Sequence, residues 1–76
     1  MKKIAILGST GSIGTQALQV IKEHQDLFEA YAITANNNAD LLIEQAIEFK
    51  PEVVVIANES KYEYVKNALN HLPIKI

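Results

Sequence analysis

The sequence predicts an α/β fold built on a parallel sheet, and two observations carry that reading. Short apolar runs alternate with longer segments of helical period, in the order β-α-β-α-β-α-β. Those runs are continuously apolar rather than alternating, as expected of strands covered by helices on both faces of a parallel sheet. At 76 residues the chain forms one small domain.

Each element has a local reason. Ile4-Ala5-Ile6-Leu7 is an apolar run that ends at Gly8 and reads as a strand buried on both faces. From Ser12 to about Glu23, Ile13, Ala17, Val20 and Ile21 form one stripe of an amphipathic helix, and His24-Gln25-Asp26 breaks it. Ala30-Tyr31-Ala32-Ile33 is the second strand, closed by the polar stretch from Thr34 to Asn38. A second helix runs from Ala39 to Phe49 with Leu42, Ile43, Ala46 and Ile47 inward and Asn38 as its N-cap. Pro51 ends it, because the residue before a proline is pushed out of the helical region. Val53-Val54-Val55-Ile56 is a β-branched strand, and Ser60 with Glu63 has the spacing of a capping box for a third helix. That helix carries Tyr62, Val65, Ala68, Leu69 and Leu72; Pro73-Ile74-Lys75-Ile76 begins a fourth strand. Right-handed crossovers set the first three strands in the order 3-2-1 and leave an open edge on strand one. The fourth strand pairs either beyond strand three or beside strand one.

Composition narrows the function classes. With 49% hydrophobic and 21% charged residues the chain is a folding sequence rather than a disordered one. A formal net charge of -2 argues against an electrostatic grip on nucleic acid or an anionic membrane. The absence of cysteine rules out a disulfide framework, a zinc–thiolate site and a thiol nucleophile. Met1-Lys2-Lys3 leads straight into the first strand without the long apolar region of a signal peptide, so a cytoplasmic location is expected.

The segment most informative about chemistry is Gly8-Ser9-Thr10-Gly11-Ser12-Ile13-Gly14, between the first strand and the first helix. Its GxxGxxG spacing is a variant of the dinucleotide fingerprint of Rossmann-like folds. Gly8 turns the chain out of the strand, Gly11 admits a pyrophosphate close to the backbone, and Gly14 lets helix and strand pack closely. Backbone N–H groups from Thr10 to Ile13 are expected to face the anion at a helix N-terminus, with the Ser9, Thr10 and Ser12 hydroxyls as further donors. A tight strand-to-helix turn without a ligand has the same spacing. A P-loop is excluded, since Gly14-Thr15-Gln16 lacks its lysine.

The end of the second strand selects the cofactor. An acidic residue there would bind the ribose 2′-hydroxyl of NAD, but the chain has Asn36, Asn37 and Asn38 and no carboxylate before Asp40. The amides can donate to a 2′-phosphate, so NADP is expected over NAD. His24 and His71 read as helix-end residues, and Glu44, Glu48, Glu59 and Glu63 as solvated. Of Tyr62 and Tyr64, the first fits the buried stripe. No catalytic residue and no metal ligand is assigned.

The string Gly8 to Gln16, preceded by Lys3-Ile4-Ala5-Ile6-Leu7, resembles the start of the 1-deoxy-D-xylulose 5-phosphate reductoisomerases. The resemblance continues through His24, Phe28 and Ala32, the Ala35-Asn36-Asn37-Asn38 turn and Glu48-Phe49-Lys50-Pro51, and so covers essentially the whole chain. It implies an amino-terminal part of an NADPH-binding Rossmann domain over residues 1–76, with the metal, substrate and carboxy-terminal domains outside the chain. It further implies an enzyme that rearranges 1-deoxy-D-xylulose 5-phosphate and reduces it with NADPH to 2-C-methyl-D-erythritol 4-phosphate, in non-mevalonate isoprenoid synthesis. Mg or Mn would serve that enzyme, a phosphosugar would be its substrate, and it would be a homodimer without nucleic-acid or membrane partners. By position, Thr10, Gly11, Ser12 and Ile13 would hold the pyrophosphate, and Asn36, Asn37 and Asn38 the 2′-phosphate. Many members carry a basic residue where this chain has Asn37. The piece alone is expected to show no turnover. Other readings are an NADP-dependent reductase of the aspartate-semialdehyde dehydrogenase type, and a non-catalytic nucleotide-sensing module.

Overall fold

A computed structural model describes residues 2–76. Strands β1 (Lys2–Ile6), β2 (Phe28–Ala35) and β3 (Val53–Ile56) alternate with helices α1 (Ser12–Glu23), α2 (Ala39–Phe49) and α3 (Tyr62–Ala68), and a 3₁₀ turn over Glu59–Lys61 leads into α3. The sheet is parallel in the order β1-β2-β3, the expected order, with β1 at an edge. The expected fourth strand is reduced to a single parallel bridge between Lys75 and Val53, on the far side of β3 from β2. Among the described residues no helix is long and apolar enough to cross a membrane.

The helices lie on one face of the sheet, not two. Three right-handed crossovers that step in the same direction must place α1, α2 and α3 on the same side. Contacts between the helices agree. Lys22 of α1 pairs with Glu48 of α2 at 2.8 Å, and the Tyr64 hydroxyl of α3 donates to the Asp40 carboxylate of α2. Under this layer lie Ile6, Ala30, Ile33, Ala35, Val54 and Ile56 of the sheet with Leu18, Ile21, Leu42, Ala46, Val65 and Leu69. Ala5, Tyr31 and Val55 are exposed on the opposite face. Strand β1 is therefore not buried on both faces, and Leu7, just past its end, is 83% exposed.

The register shifts between Ile4, opposite Ala30, and Ala5, opposite Ala32, leaving Tyr31 as an extra residue in β2. This bulge restores parity, so that Ala30 and Ile33, three apart, both reach the covered face. The inward stripes are also rotated from expectation. Helix α1 buries Gly14, Leu18 and Ile21, while Ile13 is 83% exposed and Val20 is exposed towards the open side of β1. Helix α2 buries Ala39, Leu42, Gln45 and Ala46, and Ile47 is exposed.

Helix ends follow local chemistry. The Asn38 side chain accepts from Leu41 N–H at 3.2 Å, as expected of the N-cap of α2. Lys50 closes that helix in the left-handed region (φ 48°), and Pro51 follows, buried. The capping box at Ser60 and Glu63 does not form. Asn58 caps the 3₁₀ turn instead, its Oδ1 accepting from Ser60 N–H at 3.0 Å and from the Ser60 hydroxyl at 2.7 Å. Tyr62 and Tyr64 are both exposed, so Tyr62 does not join the buried stripe as expected.

The bond to Asp40, together with that carboxylate's charge, raises the Tyr64 phenol above its ordinary value. The neutral phenol is the favoured form in the folded state, so this contact persists through neutral pH and is lost as the pH rises through the raised value. A difference titration of the wild type against Tyr64→Phe should give a midpoint above the ordinary tyrosine value of about 10. Asp40→Asn should bring that midpoint down; an unchanged midpoint would show that the bond does not form in solution.

Candidate nucleotide-binding site

The two candidate segments lie at the carboxyl ends of adjacent parallel strands. The glycine loop follows β1, and Asn36, Asn37 and Asn38 follow β2. Ligands of open α/β sheets bind outside those strand ends, so the placement is the one such a site needs.

Within the loop each glycine has a distinct reason. Gly8 has φ +74°, a left-handed turn that other L-residues adopt only with strain. Gly11 has φ -79° and ψ 172°, which any residue can adopt, and a Cβ there would meet only the Gly8 carbonyl oxygen at 3.5 Å. Position 11 therefore tolerates a side chain, while its lack of one leaves the backbone open to solvent. Gly14 is buried on the first turn of α1. A Cβ there would overlap the Gly8 carbonyl oxygen and stand 2.6 Å from Ser9 Cα. The close packing expected at position 14 is thus against the loop's own backbone.

The loop is tied down from outside. Gly8 N–H donates to the Thr34 hydroxyl at 2.9 Å, and Ser9 N–H to the Thr34 carbonyl at 2.8 Å. Ser9 is fully buried. Its hydroxyl donates to Gln45 Oε1 at 2.7 Å, and Gln45 Nε2 donates back to the Ser9 carbonyl at 2.8 Å. The Ser9 hydroxyl is consequently spent inside the protein and is not the phosphate donor expected of it. Nothing in the local sequence around Gln45 marks it as the partner of a loop 36 residues away. Its one signal is that a polar residue interrupts the apolar stripe of α2 between Leu42 and Ala46.

What remains of the loop faces solvent. Gly11 N–H turns back to the Gly8 carbonyl at 3.1 Å, so it is not among the free donors. Thr10, Ser12 and Ile13 make no backbone bond from their N–H groups within the loop, and Ser12 and Ile13 are exposed at the start of α1. No acidic residue occupies the first turn of α1. Beside the loop, a cleft of about 520 Å³ is lined by Ile4 to Gly8 and by Gly11, Ser12, Ile13, Gly14 and Ala17. Orphan N–H groups at a helix N-terminus, with no carboxylate beside them, suit an anion.

At the end of β2 the three asparagines are exposed, and only two have side-chain partners. Asn38 caps α2, and the Asn37 Oδ1 accepts from Asn58 Nδ2 at 2.8 Å. Asp40 is bound by Tyr64, so the nearest carboxylate in sequence is engaged by a phenol. His24 and His71 are exposed near helix ends. Among the described residues no group of three or more acidic, histidine or cysteine side chains could hold a metal.

Known proteins resemble this chain in sequence and in fold. Residues 4–76 match the sequence profile of the 1-deoxy-D-xylulose 5-phosphate reductoisomerases. The reductoisomerase of Bacteroides thetaiotaomicron is 73% identical over 75 residues, covering 99% of this chain and 19% of that protein. That of Phocaeicola vulgatus is 71% identical, over 99% of this chain and 20% of its own length. The structure of the Zymomonas mobilis enzyme in complex with NADPH superposes with a TM-score of 0.92 at 34% identity, covering 97% of this chain and 20% of that one. A DOX-P reductoisomerase with NADPH, fosmidomycin and magnesium gives 0.94 at 29% identity, over 100% of this chain and 19% of that one. The chain thus spans about one fifth of the length of these relatives.

Two substitutions test the internal support of the loop. Gly14→Ala is expected to destabilise the fold by about 3 kcal/mol or more, since backbone rather than a flexible side chain must yield. A loss below about 1 kcal/mol in urea unfolding would mean that α1 does not approach the loop so closely. Gln45→Leu removes the shorter of the Ser9 hydroxyl's two acceptors and leaves the buried Ser9 carbonyl without its donor, at a cost of about 1–3 kcal/mol. Adding Ser9→Ala should recover part of that loss; strict additivity in the double variant would show that the two side chains do not interact.

Proposed function

The chain belongs to the 1-deoxy-D-xylulose 5-phosphate reductoisomerase family, and from that premise we propose that it forms the NADPH-binding portion of such an enzyme. The enzyme would rearrange 1-deoxy-D-xylulose 5-phosphate and reduce the product to 2-C-methyl-D-erythritol 4-phosphate, in non-mevalonate isoprenoid synthesis. One observation supports this most: unpaired N–H groups of a glycine loop at one strand end stand next to a carboxylate-free, amide-rich strand end.

The residues fit NADPH in chemistry as well as in position. The N–H groups of Thr10, Ser12 and Ile13 would hold the pyrophosphate, with the Thr10 and Ser12 hydroxyls beside them. Gly8 makes the turn, Gly11 leaves room for the backbone to approach, and Gly14 brings the helix N-terminus up to the loop. Asn36, Asn37 and Asn38 would surround the 2′-phosphate and offer amide donors without a competing negative charge. NADPH supplies the hydride when bound. The part of this segment is to bind and orient it, holding the adenosine and pyrophosphate ends.

Mg or Mn and the phosphosugar would be held by residues outside this segment. A cytoplasmic homodimer that acts away from nucleic acid and membranes belongs to the same proposal. It rests on the family likeness and on a net charge of -2. An enzyme of the aspartate-semialdehyde dehydrogenase type, or a free-standing nucleotide sensor, is not favoured by a family match that runs from residue 4 to residue 76.

The full-length protein carrying this segment should oxidise NADPH in the presence of 1-deoxy-D-xylulose 5-phosphate and Mn, and bind NADPH in preference to NADH. Gly11→Val should leave its melting temperature unchanged, because the backbone there is open to any residue. The same change should weaken NADPH at least about tenfold, comparable with losing one hydrogen bond to a charged group. NADPH binding unaffected by Gly11→Val would refute the assignment of the loop to the pyrophosphate.

A further inference from the structure

A chain of hydrogen bonds fixes which end of the Asn37 amide faces outward. It starts at Ser60, whose backbone N–H can only donate. That N–H meets the Asn58 side chain at 3.0 Å, so the atom it meets must be the Asn58 carbonyl oxygen. The other terminal atom of Asn58 is then its NH₂ group, and this group lies 2.8 Å from the Asn37 side chain. Asn37 must answer with its oxygen. Its own NH₂ is left as the outward group, with two donors available to a ligand.

Asn58 is held firmly enough to impose this choice. Its backbone N–H donates to the Asn36 carbonyl at 3.0 Å, and its carbonyl accepts from Lys61 N–H at 3.0 Å. The first of these bonds extends the β2–β3 pairing beyond Ala35 and Ile56, next to the bond from Ala57 N–H to the Ala35 carbonyl at 2.9 Å, and the second belongs to the 3₁₀ turn. Asn38 is set in the same sense, since its oxygen is spent on Leu41 N–H. Two neighbouring amides at the end of β2 thus turn oxygen inward and nitrogen outward.

We infer that Asn58, after β3, is a positioning residue for cofactor selectivity: it holds Asn37 so that its NH₂ group donates to the 2′-phosphate of NADPH. The inference rests on the proposed assignment of Asn36, Asn37 and Asn38 to that phosphate. An unrestrained asparagine could present either oxygen or nitrogen, and the oxygen would repel a phosphate as an acceptor facing acceptors. The 3₁₀ turn itself contributes one charge of each sign, Glu59 and Lys61, so its net charge gives no selectivity and the amide donor must.

Asn58→Asp separates the two roles of Asn58. A carboxylate oxygen still caps Ser60, but no donor remains for Asn37, whose NH₂ then turns towards position 58. In the full-length protein, NADPH and NADH dissociation constants should be measured for Asn58→Asp, Asn37→Ala and the double variant. Each single variant should weaken NADPH about tenfold, the scale of one hydrogen bond to a charged group, with NADH unchanged. The melting temperature should hold, and the double variant should bind NADPH no worse than Asn37→Ala. If Asn58→Asp weakens NADPH equally with and without Asn37, its new charge acts directly and the positioning role is overturned. It is also overturned if Asn37→Ala weakens NADPH while Asn58→Asp does not; the phosphate assignment then stands alone. If Asn37→Ala leaves the preference for NADPH intact, the phosphate assignment fails at that residue and the positioning role falls with it.

Discussion

The approach of α1 to the end of β1 depends on an atom that position 14 lacks. Any Cβ there would overlap the Gly8 carbonyl oxygen and crowd Ser9 Cα, so the first turn of the helix can rest on the loop only as glycine. That contact brings the helix N-terminus, with its orphan N–H groups, to the mouth of the sheet. Behind it, Ser9 is drawn into the interior and shared between Thr34 of β2 and Gln45 of α2. The loop is therefore pressed from one side by α1 and held from two others by β2 and α2.

This arrangement explains how a short exposed loop can keep one shape. Bonds from Gly8 and Ser9 to Thr34 join the glycine loop to the residue two before Asn36, so the two halves of the candidate site share a fixed reference. The buried Ser9–Gln45 pair adds direction, because the Gln45 amide accepts from the Ser9 hydroxyl and donates to the Ser9 backbone carbonyl, which leaves little freedom to either residue. No buried side-chain polar atom is left unpaired among the described residues. A site held in this way is formed before its ligand arrives, which lowers the ordering cost of binding.

The same topology leaves half of the sheet's surface unused by this segment. Successive crossovers all advance in one direction, so every helix falls on one face and β1 stays at the edge. Apolar runs such as Ile4-Ala5-Ile6-Leu7 read as doubly buried strands, yet here Ala5 and Leu7 are exposed. Run composition reports what a strand is suited to, whereas coverage depends on which elements pack against it. Ile13 and Val20 follow the same logic, being apolar residues on the flank of α1 that overlooks the open edge.

Much was legible in residue order because it follows from local physics. The bounds of α1, α2 and β3, the Asn38 cap, the stop before Pro51 and the turn at Gly8 all depend on a few neighbouring residues. The strand order followed too, since handedness restricts parallel crossovers. Other features rest on partners far along the chain. Gln45 lies 36 residues from Ser9, and Asn58 lies 21 from Asn37. No local pattern marks a glutamine as the clamp of a distant loop, or an asparagine as the group that orients another. The expected capping box at Ser60 failed for the same reason: Asn58, fixed by β2, reached the Ser60 N–H first. Sequence alone determined the three strands and three helices, their order and the likeness to a nucleotide-binding family. Only the tertiary structure decided which polar groups are spent inside and which remain for a ligand, because each such choice depends on an acceptor or donor brought close by folding.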